Sequence, residues 1–123
     1  MNSRLRFLLL LFLTVYVCSC GFLRGYREGL TSANEAYLQS NLAMMREGIK
    51  KYTHDKGHPP QTLKDLDDAG YITYVPTDPM TEKVDWIIVP YDCRGSANCK
   101  QGIKDVHSAS GAKSSRGNSY SDW

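Results

Sequence analysis

From Phe7 to Val17 the chain carries no charge, and Arg4 and Arg6 stand immediately before this run. A helix that spans a bilayer needs about 17–25 residues, so the run reaches that length only if Cys18 to Leu23 are counted with it. A basic start followed by a Leu-rich stretch of about 7–15 residues is the pattern of a signal-peptide core. A helix apolar all round is otherwise a buried core helix, but the two arginines and the N-terminal position favour export. This segment therefore constrains the rest of the chain: whatever follows is expected to fold outside the cytoplasm, held at or released from a membrane.

The residues that follow the run, Val17-Cys18-Ser19-Cys20, resemble a bacterial lipobox. A branched apolar residue, a variable one and a small one precede the Cys that takes the lipid. Three anchors stay open: lipidation at Cys20, an uncleaved single transmembrane segment, and a plain cleaved signal peptide. Residues 1–23 are assigned to this signal, lipid-anchor or transmembrane segment. Residues 24–32, poor in apolar side chains and close to three glycines, read as a linker or a frayed helix start. Residues 33–123 are one domain, large enough for a single modest core. The formal net charge is +2, which gives no strong field for nucleic acid or an acidic substrate.

The four cysteines divide the same way. Cys18 and Cys20 belong to the anchor; Cys93 and Cys99 bracket a polar, turn-rich stretch. In an oxidising compartment that pair reads as a local disulfide, with free thiols or a metal site as the alternatives. A metal would need more Cys or His at ligand spacing, and His107 stands alone.

Thr31 or Ser32 offers a helix N-cap, with Glu35 three or four residues on to reach back to it. Leu38, Leu42, Met45, Ile49 and Tyr52 follow in steps of four and three, one stripe of a helix running to about Asp55. Asn41, Arg46, Glu47, Lys50 and Lys51 fall mostly off that stripe, and Gly48 is a weak spot within it. Gly57 and Pro59-Pro60 end the helix. Thr62 and Asp65 then form a capping-box pattern for a short helix whose Leu63, Leu66 and Ala69 face inward, closed by Gly70. Trp86 to Val89 is the clearest strand, stopped by Pro90; Gly102 to Ser108 is a weaker one, and the two make a hairpin. Residues 108–121 have the composition of a disordered tail, yet Tyr120 and Trp123 are expected to dock back on the domain.

Catalytic candidates are sparse. Of His54, His58 and His107, the first two lack acidic partners at metal spacing, and the adjacent Asp67 and Asp68 point apart on a helix. With no phosphate loop and no nucleophile signature, no catalytic residue is assigned and the chain is expected not to be an enzyme.

Several of these phrases occur together in one known family. The run Asn41 to Tyr52, then Asp55-Lys56-Gly57-His58-Pro59, Leu63 to Leu66, Ala69-Gly70-Tyr71-Ile72 and Val75-Pro76-Thr77-Asp78-Pro79 resembles the soluble part of type II secretion major pseudopilins, the GspG-like group. The likeness covers residues 33–123, including the closing Tyr120-Ser121-Asp122-Trp123. It implies an α+β, pilin-like fold: a long N-terminal helix packed against a short helix and a small antiparallel sheet. It also implies a non-enzymatic structural subunit in protein secretion, with the membrane, other secretion-system subunits and possibly itself as partners, and no nucleic acid. The alternative is a monomeric lipoprotein whose pilin-like head is a binding or adaptor module.

Two features depart from the family. Its Gly-Phe precedes the apolar run and is followed by a Glu; here Gly21-Phe22 comes after the run and Tyr26 occupies the Glu position. The family's calcium loop is rich in Asp, whereas residues 108–121 contain neither Asp nor Glu. Calcium takes 6–8 oxygen ligands, and only Asp105 and Asp122 flank the loop as weak candidates. No cofactor is therefore expected, and the Cys93–Cys99 bridge is expected to hold the region in place of the ion.

Overall fold

The structure, a computed structural model, describes residues 3–95 and 97–123, with the side chains of residues 3, 5–7 and 17–20 outside the description. The order is α1 (Ser3–Lys56), α2 (Leu63–Asp68), β1 (Ile87–Pro90), β2 (Ile103–His107) and a 3-10 turn (Tyr120–Asp122), an α+β layout. The chain divides into two compact units, Met1–Ala33 and Asn34–Trp123.

In the first unit Leu8 to Leu13, Val15, Phe22, Leu23 and Leu30 are all exposed. By length and composition α1 has enough apolar sequence near its N-terminus to cross a membrane. Residues 24–32, expected as a linker or frayed start, are helical. Gly25 and Gly29 each cost about 1 kcal/mol against Ala there, but a glycine weakens a helix without stopping it. The first proline is Pro59, so every backbone donor of α1 is present. The expected cap is absent for the same reason: the helix does not begin at Thr31, whose hydroxyl instead donates back to the Arg27 carbonyl at 3.0 Å.

The second unit is built on the stripe Leu38, Leu42, Met45 and Ile49, all buried. These pack with Leu66, Ile72, Trp86, Ile103, Val106 and Tyr120 into one core. Full burial of each such side chain contributes roughly 1.5–3 kcal/mol. Gly57, at φ 68°, ends α1 as the left-handed residue. At α2 the Thr62 hydroxyl accepts from the Asp65 N–H at 3.2 Å, while the Asp65 carboxylate accepts from the Thr62 N–H at 3.0 Å. That reciprocal pair holds the Asp65 carboxyl below its usual range, chiefly through the Thr62 N–H. Ala69, expected to face inward, is exposed, because α2 closes at Asp68 and Gly70 (φ 76°) turns the chain away. Gly48 is more than a weak spot. A Cβ there would sit 2.8 Å from Ile72 Cγ2, so its missing side chain is what lets the turn after α2 reach α1.

β1 and β2 pair antiparallel, Ile87 with His107 and Ile88 with Val106, with an irregularity between Val89 and Pro90. Trp86 lies just outside the strand, and its indole N–H donates to the Pro76 carbonyl at 2.8 Å. Asp78 is fully buried, and its carboxylate accepts from the Ser108 hydroxyl (2.6 Å) and the Met80 N–H (2.8 Å). The loop between the strands carries the Cys93–Cys99 disulfide. It is pinned to the end of α1 and the turn beyond it. Lys100 donates to the Gly57 carbonyl, Gln61 to that of Gln101, and Ile103 N–H to that of Pro60.

Gly102 makes this docking possible. Its φ is 152°, and a Cβ would lie 2.7 Å from the Pro60 carbonyl oxygen. Backbone cannot yield as a flexible side chain can, so Gly102→Ala is expected to cost about 2 kcal/mol. Gly111→Ala, where a Cβ meets nothing within 4 Å, is the near-neutral control. Urea denaturation midpoints separate the two; equal midpoints would show that the loop docks without needing the glycine.

Candidate functional site

The head places polar chemistry along one length of α1, where Glu35, Asn41 and Arg46 turn toward the rest of the chain. Asn41, expected off the apolar stripe, is buried and donates to the Thr77 carbonyl at 3.3 Å. Burial without that acceptor would cost about 1–3 kcal/mol.

Glu35 is 8% exposed. One carboxylate oxygen accepts from the Ser115 N–H at 2.6 Å and the Tyr120 hydroxyl at 2.8 Å; the other accepts from the Ser115 hydroxyl at 2.6 Å. The two Ser115 bonds hold the Glu35 carboxyl below its usual value, against burial. Burial first, and then the same carboxylate, push the Tyr120 phenol up to about 12. The expected role of Glu35 as a capping-box partner is thus replaced by a clasp on a segment some eighty residues away. The loop 108–121 is not a free tail. Tyr120 is buried, Trp123 packs against the core, and Ser114 N–H donates to the Asn118 carbonyl at 2.8 Å.

Arg46 is the second clasp. Its Nε donates to the Asp105 carboxylate at 2.6 Å, and its Nη2 donates to the main-chain oxygens of Val106 (2.9 Å) and Trp123 (2.6 Å). Burial raises the Asp105 carboxyl. The Arg46 hydrogen bond, the Val106 N–H and the charges of Arg46 and His107 outweigh it, and the carboxyl sits below its usual range. Asp105, one of the two weak calcium candidates, therefore has a guanidinium as its partner. The other, Asp122, lies in the same hollow beside Lys50, Lys104 and Trp123. Among the described residues no three His, Cys, Asp or Glu side chains converge as a metal site would require.

The disulfide, expected to hold the closing loop in place of the ion, sits in a loop whose hydrogen bonds go elsewhere. Its loop docks on residues 57–61, while Glu35 and Arg46 hold residues 115–123. The Cys20 side chain, the lipidation candidate, lies outside the described residues. The histidines are dispersed. His54 pairs with Asp55 at the exposed end of α1, His58 meets the Pro59 carbonyl, and His107 faces Asp105 through Nε2 at 3.7 Å while its buried Nδ1 has no partner among the described residues. Nothing in the sequence marked Glu35 or Arg46 as clasps, since both bonds are set by tertiary contact and not by spacing.

No family model, curated protein or solved structure matches the chain.

Proposed function

We propose that the chain is a non-enzymatic structural subunit of protein secretion that resembles a type II pseudopilin. In this reading residues 1–23 hold it at the membrane and the head works on the extracytoplasmic side. The observation that carries the reading is an α+β head that follows, in sequence, a helix long and apolar enough near its N-terminus to cross a membrane. The Cys93–Cys99 disulfide supports the extracytoplasmic side, because such bonds persist in oxidising compartments. Its partners would then be the membrane, sister secretion-system subunits and other copies of itself.

A monomeric membrane-anchored adaptor is the second reading. The exposed side of α1 in the head favours it: beside one large apolar side chain, Tyr37, it presents Ala36, Gln39, Ser40, Ala43, Glu47 and Lys50, a thin surface for filament packing. Two measurements test the pair. The mass of the mature N-terminus distinguishes a diacylglyceryl Cys20, an intact Met1 and a methylated Phe22. Cross-linking in membranes should give a ladder of oligomers for a polymerising subunit; a lone monomer at all cross-linker concentrations would sink the filament and leave the adaptor.

A further inference from the structure

An apolar groove of about 660 Å³ lies on the head, bounded by α2, by Tyr74 and Val75, and by the chain that runs into β1. Leu63, Tyr74, Val84, Trp86, Ile88 and Ile103 supply most of its apolar lining. Trp86 and Ile103 belong to the core, but Tyr74 is 52%, Val84 62% and Ile88 41% exposed. Ile88 stands opposite Val106 in the ladder, and Val106 is fully buried. Residues opposite one another in an antiparallel pair share a face. The groove is therefore where the core face of the sheet runs out to solvent. A hydrogen bond between the Tyr74 and Tyr37 side chains ties the Tyr74 ring to α1. Single exposed aliphatics are ordinary on a surface; three large apolar side chains exposed around one concavity mark a binding face.

The charges of the two flanking segments do not balance. Residues 61–68 carry Lys64 against Asp65, Asp67 and Asp68, and residues 81–88 carry Lys83 against Glu82 and Asp85. Lys64 binds Asp68, which leaves Asp67, a lining residue, in excess. Asp65 and Asp85 accept from Thr62 and Thr81, neutral donors that leave the carboxylate charge in place. Five carboxylates stand against two ammoniums, a net −3 on a chain whose net charge is +2. Lys100 donates to the Gly57 carbonyl, and counting it still leaves −2. Lys104, next to Ile103 in sequence, lines a different hollow and acts on Asp92.

From this charge complementarity we propose that the groove is a docking site for a basic and apolar segment of a partner protein. Its aliphatic side chains enter the groove, and Lys or Arg beside them meet Asp67 and Asp85. The half-exposed Tyr74 ring adds a face for a cation. The sign of the charge decides between occupants. A second copy docked groove to groove would bring −3 against −3, and an anionic lipid surface would meet the same repulsion. The site is independent of whether the head polymerises, so its failure would leave the secretion-subunit reading standing, and the reverse.

The test uses the full chain in micelles of an uncharged maltoside and a fluorescein-labelled hexapeptide of alternating Lys and Leu, followed by fluorescence anisotropy. All variants are measured in the same micelles, so uptake of peptide by detergent cancels. Saturable binding is expected, weakening as salt rises. Asp67→Lys with Asp85→Lys should weaken it about ten-fold or more, and Asp67→Asn with Asp85→Asn about three-fold. Val84→Ser with Ile88→Thr leaves the charge alone and should weaken it about five-fold. Glu47→Lys with Asp122→Lys makes the same charge change at residues that line other hollows, and should leave binding unchanged. Unchanged thermal midpoints show that the variants remain folded. The peptide with Glu in place of Lys should not bind. Equal loss in the control pair, or no loss in the Val84 and Ile88 variant, would overturn the proposal as non-specific attraction. Equal binding of the Glu peptide would overturn the charge complementarity, and cross-linked dimers lost only in the groove variants would replace the partner protein with a second copy of the chain.

Discussion

Glu35→Ala is expected to destabilise the head by about 3 kcal/mol and to free the loop 108–121. Three donors converge on this carboxylate: the Ser115 N–H, the Ser115 hydroxyl and the Tyr120 hydroxyl. A hydrogen bond to a charged group contributes roughly 1.5–3 kcal/mol, and summing three of them would overshoot. The Ser115 hydroxyl can turn to water once the loop lifts, so the cost is set mainly by the buried Tyr120 phenol and the amide. Glu35→Gln keeps the volume but offers one acceptor atom and brings its own donors, so about 2 kcal/mol is expected. Trypsin gives a local readout, because Lys113 and Arg116 are exposed side chains on backbone that the clasp holds. Cleavage there should accelerate about ten-fold or more in Glu35→Ala, following the equilibrium opening of the loop. Unchanged cleavage and an unchanged thermal midpoint would show that the loop is held by its own turns and by Trp123.

The same carboxylate links stability to pH. The folded Glu35 carboxyl lies below its ordinary 4.5, so as pH falls the unfolded chain takes up the proton first. The contribution is therefore fully present above pH 4.5 and is lost as pH drops through the lowered folded value. Asp65 and Asp105 are shifted the same way, so the acid limb of the stability curve does not vanish in Glu35→Gln; it becomes shallower. Denaturation midpoints between about pH 5 and pH 3 measure the difference in slope. Parallel curves for the two proteins would place the acid sensitivity in the other carboxylates.

What could be read from the sequence was what local rules control. The four-and-three spacing of Leu38, Leu42, Met45 and Ile49 fixes the inner face of a helix before any partner is known, and these residues are buried as that spacing requires. Thr62 and Asp65 satisfy each other over three residues, so their capping box was legible too. Glu35 shows the limit. A Glu shortly after Thr31-Ser32 has the same pattern whether a helix begins there or passes through, and the deciding partners are Ser115 and Tyr120. Asn41 failed for a similar reason: polarity placed it outside, while the Thr77 carbonyl made the inside affordable. Gly48 and Gly102 were invisible as contact points, since what matters there is the atom that a side chain would strike. The bond from the Trp86 indole to the Pro76 carbonyl is likewise a contact no alternation of residues encodes.

Arg46→Ala is expected to cost about 3 kcal/mol, by a different route from Glu35. It removes donors from the Val106 and Trp123 main-chain oxygens and leaves Asp105 without its cation. The Arg46 and Asp105 side chains are 33% and 36% exposed, so solvent screens the charge pair and most of the loss comes from the two main-chain acceptors. Arg46→Lys tests that division. An ammonium can reach Asp105 but cannot reproduce the planar fork that spans three acceptors, so only about half the stability should return. If lysine restored it all, charge alone would be the cause. Glu35 and Arg46 stand eleven residues apart on α1, roughly 16 Å along its axis. Sites that far apart usually add within about 0.5 kcal/mol. Here the two hold one segment, Glu35 at residues 115–120 and Arg46 at Trp123, so once either lets go the other has less left to hold. The double variant should therefore cost measurably less than the sum of the singles, a coupling of about 1 kcal/mol carried by the loop and not by contact between the side chains. Strict additivity would mean that the two clasps hold independent structures and that residues 108–123 do not open as one unit.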